Sequence, residues 1–162
     1  MAAGGPLCFA KEYILYMNKA YLLIGGNVGD SKKSLLEAAG TLQAECGTIV
    51  RKSSIYNTAP WGKADQQNFL NQGLLLNTKL SAKELMRNIL LIEEKMGRQR
   101  LEKNGPRVID IDILFYNDLV LEDHLLTIPH PALHSRRFAL IPLAEIAPTF
   151  IHPVLKKDIL QL

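Results

Sequence analysis

Two aspartates, Asp110 and Asp112, alternate with three isoleucines in the segment 109–113. Successive side chains of a β-strand point to opposite faces, so this pattern predicts a strand with its isoleucines in a core and both carboxylates on the other face. Neighbouring carboxylates on one face can bridge a pair of divalent cations, and magnesium prefers a few carboxylates together with phosphate oxygens and water. A half-buried strand with a solvated polar face has the same pattern, and the aspartates alone do not separate the two interpretations.

Basic residues are concentrated immediately before these aspartates. Between positions 79 and 107 the sequence has eight Lys or Arg residues and four Glu residues, although the whole chain has a net charge of only +3. Arg98, Arg100 and Arg107 are the nearest, and guanidinium groups bind phosphate in a planar fork while staying charged. Arg98 and Arg100 could instead mark a helix end, where positive charge is favourable, but Arg107 is not explained in that way. The combination indicates phosphoryl chemistry.

Aromatic and amide side chains suggest an acceptor for the phosphoryl group. Trp61, Phe69 and Phe138 are candidates for stacking on a flat heterocycle, and Asn71 offers a planar amide with both donors and acceptors. Phe69 and Phe138 could equally be core residues, whereas Trp61 lies in a polar loop. His130, which stands between two prolines, could contact a phosphate or brace a turn, and the sequence favours neither role.

The elements that must position these residues follow the order β-α-β, a loop, and β-α-β, with additions at the end. This order favours a ferredoxin-like α+β fold, in which a four-stranded antiparallel sheet carries helices on one face, with a small hairpin and a C-terminal helix added. The predicted strands are 20–24, 48–56, 69–79 and 108–116, and the predicted helices begin at Asp30 or Ser31, at Ser81 and at Arg136. The start at Ser81 is predicted by a capping box, Ser81-Ala82-Lys83-Glu84.

Three local patterns make this prediction specific. The first helix has an apolar stripe at helical spacing, formed by Leu35, Leu36, Ala39 and Leu42. Asn117-Asp118 predicts a hairpin turn from the strand 108–116 into a strand 119–121. The glycine-rich turn at 25–29 matches neither the Walker pattern nor GxGxxG, so we interpret it as a tight connection from strand to helix.

Composition narrows the class of protein. A chain of 162 residues that is 48% hydrophobic and 22% charged is typical of one compact globular domain, and no apolar run approaches the length of a membrane span. Two cysteines argue against a disulfide framework, and the net charge is too small to indicate nucleic acid. We therefore expect a monomeric cytoplasmic protein without membrane or nucleic-acid partners. Residues 17–162 would form its single domain, and residues 1–16 a peripheral or disordered extension.

Several segments together resemble the 6-hydroxymethyl-7,8-dihydropterin pyrophosphokinases, which are enzymes of folate biosynthesis. The segment GPRVIDIDIL at 105–114 is similar to the signature of that family, and GGN at 25–27 is similar to its opening turn. The resemblance runs in order from about residue 19 to residue 148. Its other segments are SSIYNTAP at 53–60, PHP at 129–131, RRF at 136–138 and PLAEIAP at 142–148.

The resemblance implies transfer of the β,γ-diphosphate of ATP to the hydroxymethyl oxygen of the pterin, with release of AMP. It implies two magnesium ions on Asp110 and Asp112. The residues expected to act in catalysis are Arg98, Arg100, Arg107, Asp110 and Asp112, and those expected to bind ATP are Arg98, Arg100, His130 and Arg136. The pterin would be bound by Thr58, Ala59, Phe69, Asn71, Asp110 and Phe138. Glu93 aligns with an acidic helix residue that lines the site.

One loop departs from the pattern of the family. Asn104 stands where members often have Trp before Gly-Pro-Arg, and the loop between Arg100 and Gly105 is one residue shorter than in some members. Because this loop would close on the pterin, we include Trp61 among the substrate-binding residues as a source of compensating apolar contact.

Two other functional classes share parts of the pattern. An RNA-binding module with this fold would need exposed aromatic residues where the strand carries aspartates. A two-metal nuclease would need a longer cationic track and more carboxylates.

Overall fold

An antiparallel sheet forms the centre of the computed structural model, which describes residues 17–99 and 101–162. The strands lie in the order β2, β4, β1, β5, which is the order of a ferredoxin-like sheet. They are β1 (Asn18–Gly26), β2 (Thr48–Lys52), β4 (Phe69–Thr78) and β5 (Asp110–Tyr116), and a short β3 (Tyr56–Thr58) pairs with the start of β4. The predicted fold class is confirmed. The expectation for residues 1–16 lies outside the described residues.

Helices cover both faces of this sheet. On one face α1 (Ser31–Glu45) and α2 (Ala82–Lys95) enclose the larger core, to which the alternate residues of β1, β4 and β5 contribute. On the other face α3 (Arg137–Ile146) packs against a smaller aromatic and aliphatic cluster. Within the described residues, no helix combines the length and the apolarity that crossing a membrane would require.

Side-chain caps define where the first two helices begin. Asp30 accepts a hydrogen bond from the backbone N–H of Lys33 (3.1 Å), so it is the N-cap of α1. Ser81 and Glu84 form a reciprocal capping box at the start of α2, as the sequence predicted. The capping box fixes where α2 begins, and the C-terminal end of α2 carries Glu93 of the candidate site.

The single strand predicted for 48–56 is wrong, because the structure has two short strands there. The hydroxyl group of Ser53 alters the pairing here: Ser53 donates its backbone N–H to the Gly73 oxygen (2.9 Å), but the N–H of Gly73 donates to Ser53 Oγ (2.8 Å) and not to a backbone carbonyl. The register of β2 against β4 also shifts between Ile49 and Arg51. Because of the bonding at Ser53 and this register shift, β2 and β3 are separate strands, and β3 runs toward the site.

The predicted hairpin exists, but its position was wrong. Its strands are β6 (Leu121–Glu122) and β7 (Thr127–Ile128), so the segment 119–121 does not pair back onto β5. Asn117 has a left-handed backbone (φ 48°), and its side chain accepts a hydrogen bond from the N–H of Lys19 (2.8 Å). This contact directs the chain away from β5 before the hairpin begins.

The apolar stripe of α1 was predicted correctly except at Leu36. Leu35, Ala38, Ala39 and Leu42 are buried, whereas Leu36 is 64% exposed. Positions i, i+3, i+4 and i+7 share a helix face, and Leu36 lies beside that face.

Adjacent leucines in α1 provide a matched test of this packing. We expect Leu35→Ala to lower the free energy of unfolding by about 2–5 kcal/mol, because it leaves a cavity in the core. We expect Leu36→Ala to change it by less than about 0.5 kcal/mol, because that side chain is largely in water. Urea denaturation of the two variants measures the difference, and equal losses would contradict the packing described.

Candidate active site

The candidate site lies on the sheet face that α3 covers only in part. The pairing of β1 with β4 and β5 places functional residues in two cross-strand rows, Asn71–Gly25–Asp110 and Gly73–Leu23–Asp112. Asp110 and Asp112 therefore lie side by side, as the alternation predicted. The isoleucines of 109–113 are buried in the core on the opposite face.

Gly25 forms part of the floor of the site, and Gly26 follows it at the end of β1. A Cβ on Gly25 would collide with Oδ1 of Asn71, and a Cβ on Gly26 would collide with the backbone oxygen of Val108. Only glycine allows the Asn71 side chain and the backbone at Val108 to approach β1 this closely. At Gly25 the floor of the site is therefore backbone.

Asp110 is held by arginines. Arg98 Nη1 lies 2.6 Å from Asp110 Oδ1 and 2.7 Å from Glu93 Oε1, and Arg107 Nε lies 3.4 Å from Asp110 Oδ2. Glu93 is only 2% exposed and also accepts a hydrogen bond from the N–H of Ile111 (2.8 Å). It thus ties the end of α2 to β5 and orients Arg98. Although burial opposes its charge, Asp110 and Glu93 together raise the pKa of Arg98.

Among the described residues, no arginine contacts the carboxylate of Asp112 as Arg98 and Arg107 contact that of Asp110. Asp112 makes no ion pair with any of the described residues, and burial, followed by repulsion from Asp110, raises its pKa to about 7. The more distant Arg136 and Arg107 only partly oppose this effect. Two adjacent carboxylates with an incomplete set of counter-charges fit a divalent cation.

The composition of this potential metal site is limited. Among residues 17–99 and 101–162 there is no cluster of three or more His, Cys, Asp or Glu side chains that could hold a metal ion. The protein would therefore contribute the two carboxylates, and the remaining ligands would be phosphate oxygens or water. This division suits a magnesium ion that binds together with a nucleotide.

His130 and Arg136 present donors to the same space. His130 Nδ1 accepts a hydrogen bond from the N–H of Ala132 (3.3 Å), so in the neutral ring the proton is on Nε2. Burial, and then the charge of Arg136, lowers the pKa of His130 to about 4, which keeps the ring neutral. Nε2 lies 3.5 Å from Arg136 Nη1, and Arg136 Nε is buried without a partner among the described residues. The N–H donors of His130 and Arg136 thus face one another with no acceptor between them among the described residues. This arrangement is suited to binding an oxyanion.

A basic cleft of about 400 Å³ brings most of the predicted phosphate-binding residues together. Residues 101–107 of the basic loop line it together with the two aspartates. The predicted residues that line it are Arg98, Arg107, Asp110, Asp112, His130 and Arg136. Arg100 lies outside the described residues.

An aromatic pocket adjoins this cleft and contains every residue predicted to bind the heterocycle. Its lining includes Thr58, Ala59, Trp61, Phe69, Asn71, Asp110 and Phe138. Asn71 is 4% exposed, and its amide donates to Thr58 Oγ1 (2.7 Å), which holds its planar face in place. The pocket thus combines aromatic faces with a buried amide.

Two guanidinium groups cover the rings of this pocket. Arg107 lies over Phe69, 5.1 Å from the ring centroid, and Arg136 lies over Trp61 at 4.6 Å and Phe138 at 5.7 Å. The remaining free volume is about 30 Å³, which is too small for a bicyclic heterocycle. The guanidinium groups must therefore move before a ring can stack there.

Asn27 and Gln66, which the sequence did not single out, connect the loops around the site. The Asn27 amide donates to Gln66 Oε1 (3.0 Å), and its oxygen accepts from the N–H of Arg107 (3.0 Å). Gln66 Nε2 in turn donates to the backbone oxygen of Asn104 (2.8 Å). Asn104 has a left-handed backbone (φ 56°), which asparagine tolerates well. A polar contact thus joins the loop of Gln66 to the loop of Asn104, the position at which members of the family often have Trp.

An apolar groove was also missed by the sequence reasoning. It has a volume of about 170 Å³ and shares Asp112 and His130 with the basic cleft. Its apolar walls are formed by Met86, Ile111, Ile113, Leu125, Leu126 and Pro131, with Thr127 beside them. Such residues give no distinguishing signal in a sequence, because most apolar side chains only fill a core.

A carboxylate pair, a basic cleft and an aromatic pocket on a ferredoxin-like sheet form the arrangement of a phosphoryl-transferring enzyme. The sequence matches the model of the 7,8-dihydro-6-hydroxymethylpterin-pyrophosphokinase (HPPK) family over residues 21–148. The chain belongs to this family.

Individual relatives agree with the family assignment. The chain is 44% identical to the 2-amino-4-hydroxy-6-hydroxymethyldihydropteridine pyrophosphokinase of a Synechocystis species, over its whole length and 81% of that protein. It is 41% identical to the folic acid synthesis protein FOL1 of Dictyostelium discoideum, an alignment that covers 85% of this chain but 21% of that protein.

Among solved structures, the crystal structure of wild-type Plasmodium falciparum HPPK-DHPS matches with a TM-score of 0.68 at 21% identity. That match covers 93% of this chain and 45% of the other, and it concerns the fold alone. The chain thus spans only a part of the two longer proteins.

The raised pKa of Asp112 predicts a stabilising substitution. Between its ordinary value of 3.8 and about 7, the folded state binds a proton that the unfolded state does not, so stability falls as the pH rises through this window. At pH 8 without divalent cations, we expect Asp112→Asn to raise the free energy of unfolding by roughly 1–3 kcal/mol, since each pKa unit is worth about 1.4 kcal/mol and partial solvent contact reduces the effect.

The control for this experiment is Asp118→Asn, at an exposed turn position. Denaturation of the wild type and both variants between pH 4 and pH 8 in EDTA measures the effect. The advantage of Asp112→Asn should grow with pH and vanish near pH 4. A difference that is independent of pH, or shared by Asp118→Asn, would contradict the electrostatic explanation.

Proposed function

We propose that this protein transfers the diphosphate of ATP to 6-hydroxymethyl-7,8-dihydropterin, giving AMP and the pterin diphosphate in a step of folate biosynthesis. The observation that carries this proposal is that one carboxylate pair borders two different compartments. Asp110 and Asp112 line both the basic cleft, which suits a polyphosphate, and the aromatic pocket, which suits a flat heterocycle. Membership of the HPPK family supports the same reaction.

The pterin occupies the aromatic pocket. Phe69 and Phe138 stack on its two faces, while Asn71 and the backbone around Thr58 and Ala59 contact its polar edge. Trp61 contributes a further apolar surface. For the ring to enter, the guanidinium groups of Arg107 and Arg136 leave the aromatic faces, and the adjoining basic cleft gives them phosphate oxygens to bind instead.

The polyphosphate occupies the basic cleft. Arg98, Arg100, His130 and Arg136 bind its oxygens, and the donors on His130 Nε2 and Arg136 are already directed into a common space. The purine ring lies in the apolar groove of Met86, Leu125 and Leu126. That groove adjoins Asp112 and His130 and includes none of the aromatic residues that bind the pterin.

Asp110 and Asp112 hold two magnesium ions that arrive with ATP. Bound there, magnesium neutralises the phosphate oxygens and favours loss of the proton from the attacking hydroxyl group. Arg98 and Arg107 hold Asp110 in place, and with Arg100 they balance charge that develops on the phosphates. Diphosphate transfer needs mainly such positioning and charge neutralisation, together with exclusion of water by the loops.

Apart from Arg100, which is not among the described residues, all residues of the proposed site come together within one chain, which supports a monomeric enzyme. The scarcity of cysteine fits a cytoplasmic location. Size-exclusion chromatography with light scattering tests the first of these proposals, and a dimer at micromolar concentration would contradict it.

The reaction is tested by incubating the protein with ATP, magnesium and 6-hydroxymethyl-7,8-dihydropterin and separating the nucleotide products. We expect AMP formation that depends on the pterin. Formation of ADP, or no turnover by correctly folded protein, would refute the proposal.

The role of the carboxylates predicts the effect of removing them. Asp110→Ala and Asp112→Ala should each lower the rate of AMP formation by about 100-fold or more, because each removes a metal ligand. Asp118→Ala should keep the wild-type rate. Rates measured across a magnesium titration, with thermal melting to confirm folding, check this expectation. If either site variant retained the full rate, the assignment of the metal ligands would be wrong.

A further inference from the structure

One face of α3 connects the aromatic pocket to a contact at the opposite end of the helix. Phe138, Pro142 and Glu145 are spaced i, i+4 and i+7, so they lie on the same face. In the middle of this face, Pro142 packs against β4 so closely that a Cβ on Gly73 would lie 3.2 Å from its backbone oxygen. Phe138 lines the aromatic pocket at one end, and Glu145 extends toward the connection between β2 and β3 at the other.

Glu145 is exposed, yet its carboxylate accepts hydrogen bonds from one short segment of chain. Tyr56 Oη donates to Oε2 at 2.6 Å, and the N–H of Ser54 lies 3.0 Å from both oxygens. Ser54 Oγ also donates to Oε1 at 3.0 Å. These hydrogen bonds lower the pKa of Glu145, and the bond from Tyr56 has the largest effect. The carboxylate therefore stays charged, and the hydrogen bonds to it are charge-assisted.

The segment that Glu145 holds leads directly to residues of the aromatic pocket. Tyr56 begins β3 and pairs with Asn71 of β4, while Thr58 ends β3 and pairs with Phe69. The Asn71 amide donates to Thr58 Oγ1 at 2.7 Å, so these two residues are joined by their side chains as well. Tyr56 therefore stands at the base of the strand whose far end borders the pocket.

β3 needs such an anchor because it is short. It has three residues, and β4 is its only neighbour in the sheet as described. Three residues make few backbone hydrogen bonds with β4, so contacts outside the sheet help to hold β3 in position.

We infer that Glu145 is a positioning residue for the aromatic pocket: by holding Ser54 and Tyr56 it fixes the separation between β3 and α3, and with it the width of the pocket between Thr58 and Phe138. Glu145 contacts none of the reacting groups, so its effect passes through Tyr56 and β3. The inference rests on the proposed function of this pocket as the binding site for the pterin.

The alternative is that Glu145 only fastens α3 to the sheet. In that case its loss would lower stability without changing the affinity for the pterin. The two roles are distinguished by a binding measurement, for which Trp61, the single tryptophan of the chain, provides a fluorescence signal inside the pocket.

The experiment compares Tyr56→Phe, Glu145→Ala and Glu145→Gln with the wild type. We expect Tyr56→Phe and Glu145→Ala to raise the Kd and KM for the pterin about fivefold, the loss expected when a charge-assisted hydrogen bond on an exposed surface is removed, and to leave the KM for ATP within about twofold. Glu145→Gln keeps an acceptor oxygen and should show a smaller increase than Glu145→Ala.

Tyr116→Phe is the matched control. Tyr116 Oη donates a hydrogen bond to the backbone oxygen of Leu80 (2.7 Å), so this variant loses a similar bond at the edge of the sheet formed by β5. It should lower the melting temperature while the Kd for the pterin stays at the wild-type value.

The inference is overturned if Tyr56→Phe and Glu145→Ala change only the melting temperature, as Tyr116→Phe does, or if they raise the KM values for ATP and the pterin equally. Failure of the proposed function would look different. The wild type would then form no pterin-dependent AMP, and Phe138→Ala would leave the Trp61 fluorescence response to the pterin unchanged.

Discussion

Electrostatic repulsion between two neighbouring carboxylates is the constraint around which the site is organised. Asp110 and Asp112 occupy the same face of β5, and Glu93 brings a third carboxylate to the end of α2. Arg98 is shared between Glu93 and Asp110, and it leaves Asp112 with no close counter-charge among the described residues. Repulsion from Asp110 therefore adds to burial in raising the pKa of Asp112, and a cation bound between the two carboxylates would relieve that repulsion.

The two faces of the sheet have different structural roles. The face under α1 and α2 is filled by aliphatic side chains and provides most of the core. The other face is divided between α3 and the candidate site, so the residues proposed to bind ligands lie directly against the paired strands β1, β4 and β5. Loops form the walls of the site. Asn27 and Gln66 join these loops to one another and to the turn after β1 through hydrogen bonds.

Much of this arrangement was accessible from the sequence because its signals are local. Alternation of Asp and Ile placed both carboxylates on one face, and the capping box located the start of α2. The family motifs brought together Asn71, Phe69 and Phe138, which lie far apart from Asp110 in the chain but line one pocket with it. Leu36 was misplaced because a fourth leucine or alanine beside a helical stripe looks the same in sequence whether it is buried or exposed.

Other features were not predictable because they depend on long-range partners. The role of Ser53 in dividing β2 from β3 requires Gly73, 20 residues away, and Glu145 meets Ser54 across 91 residues. The apolar groove is formed by α2, β5 and the hairpin together, and each of its residues looks like ordinary core in isolation. Such contacts leave no periodicity, and only the assembled chain reveals them.

The backbone floor of the site at Gly25, with the equally close packing at the neighbouring Gly26, has a consequence for inhibitor design. Side chains of a binding site can usually be exchanged to weaken a drug while the fold persists, but here any added Cβ collides first with the protein itself, at Asn71 or at the backbone of Val108. If a compound bound mainly to this floor, few substitutions could weaken its binding and still leave the enzyme folded. A compound that depends on the exposed loop around Trp61 would meet a surface that substitution can reshape at little cost to stability.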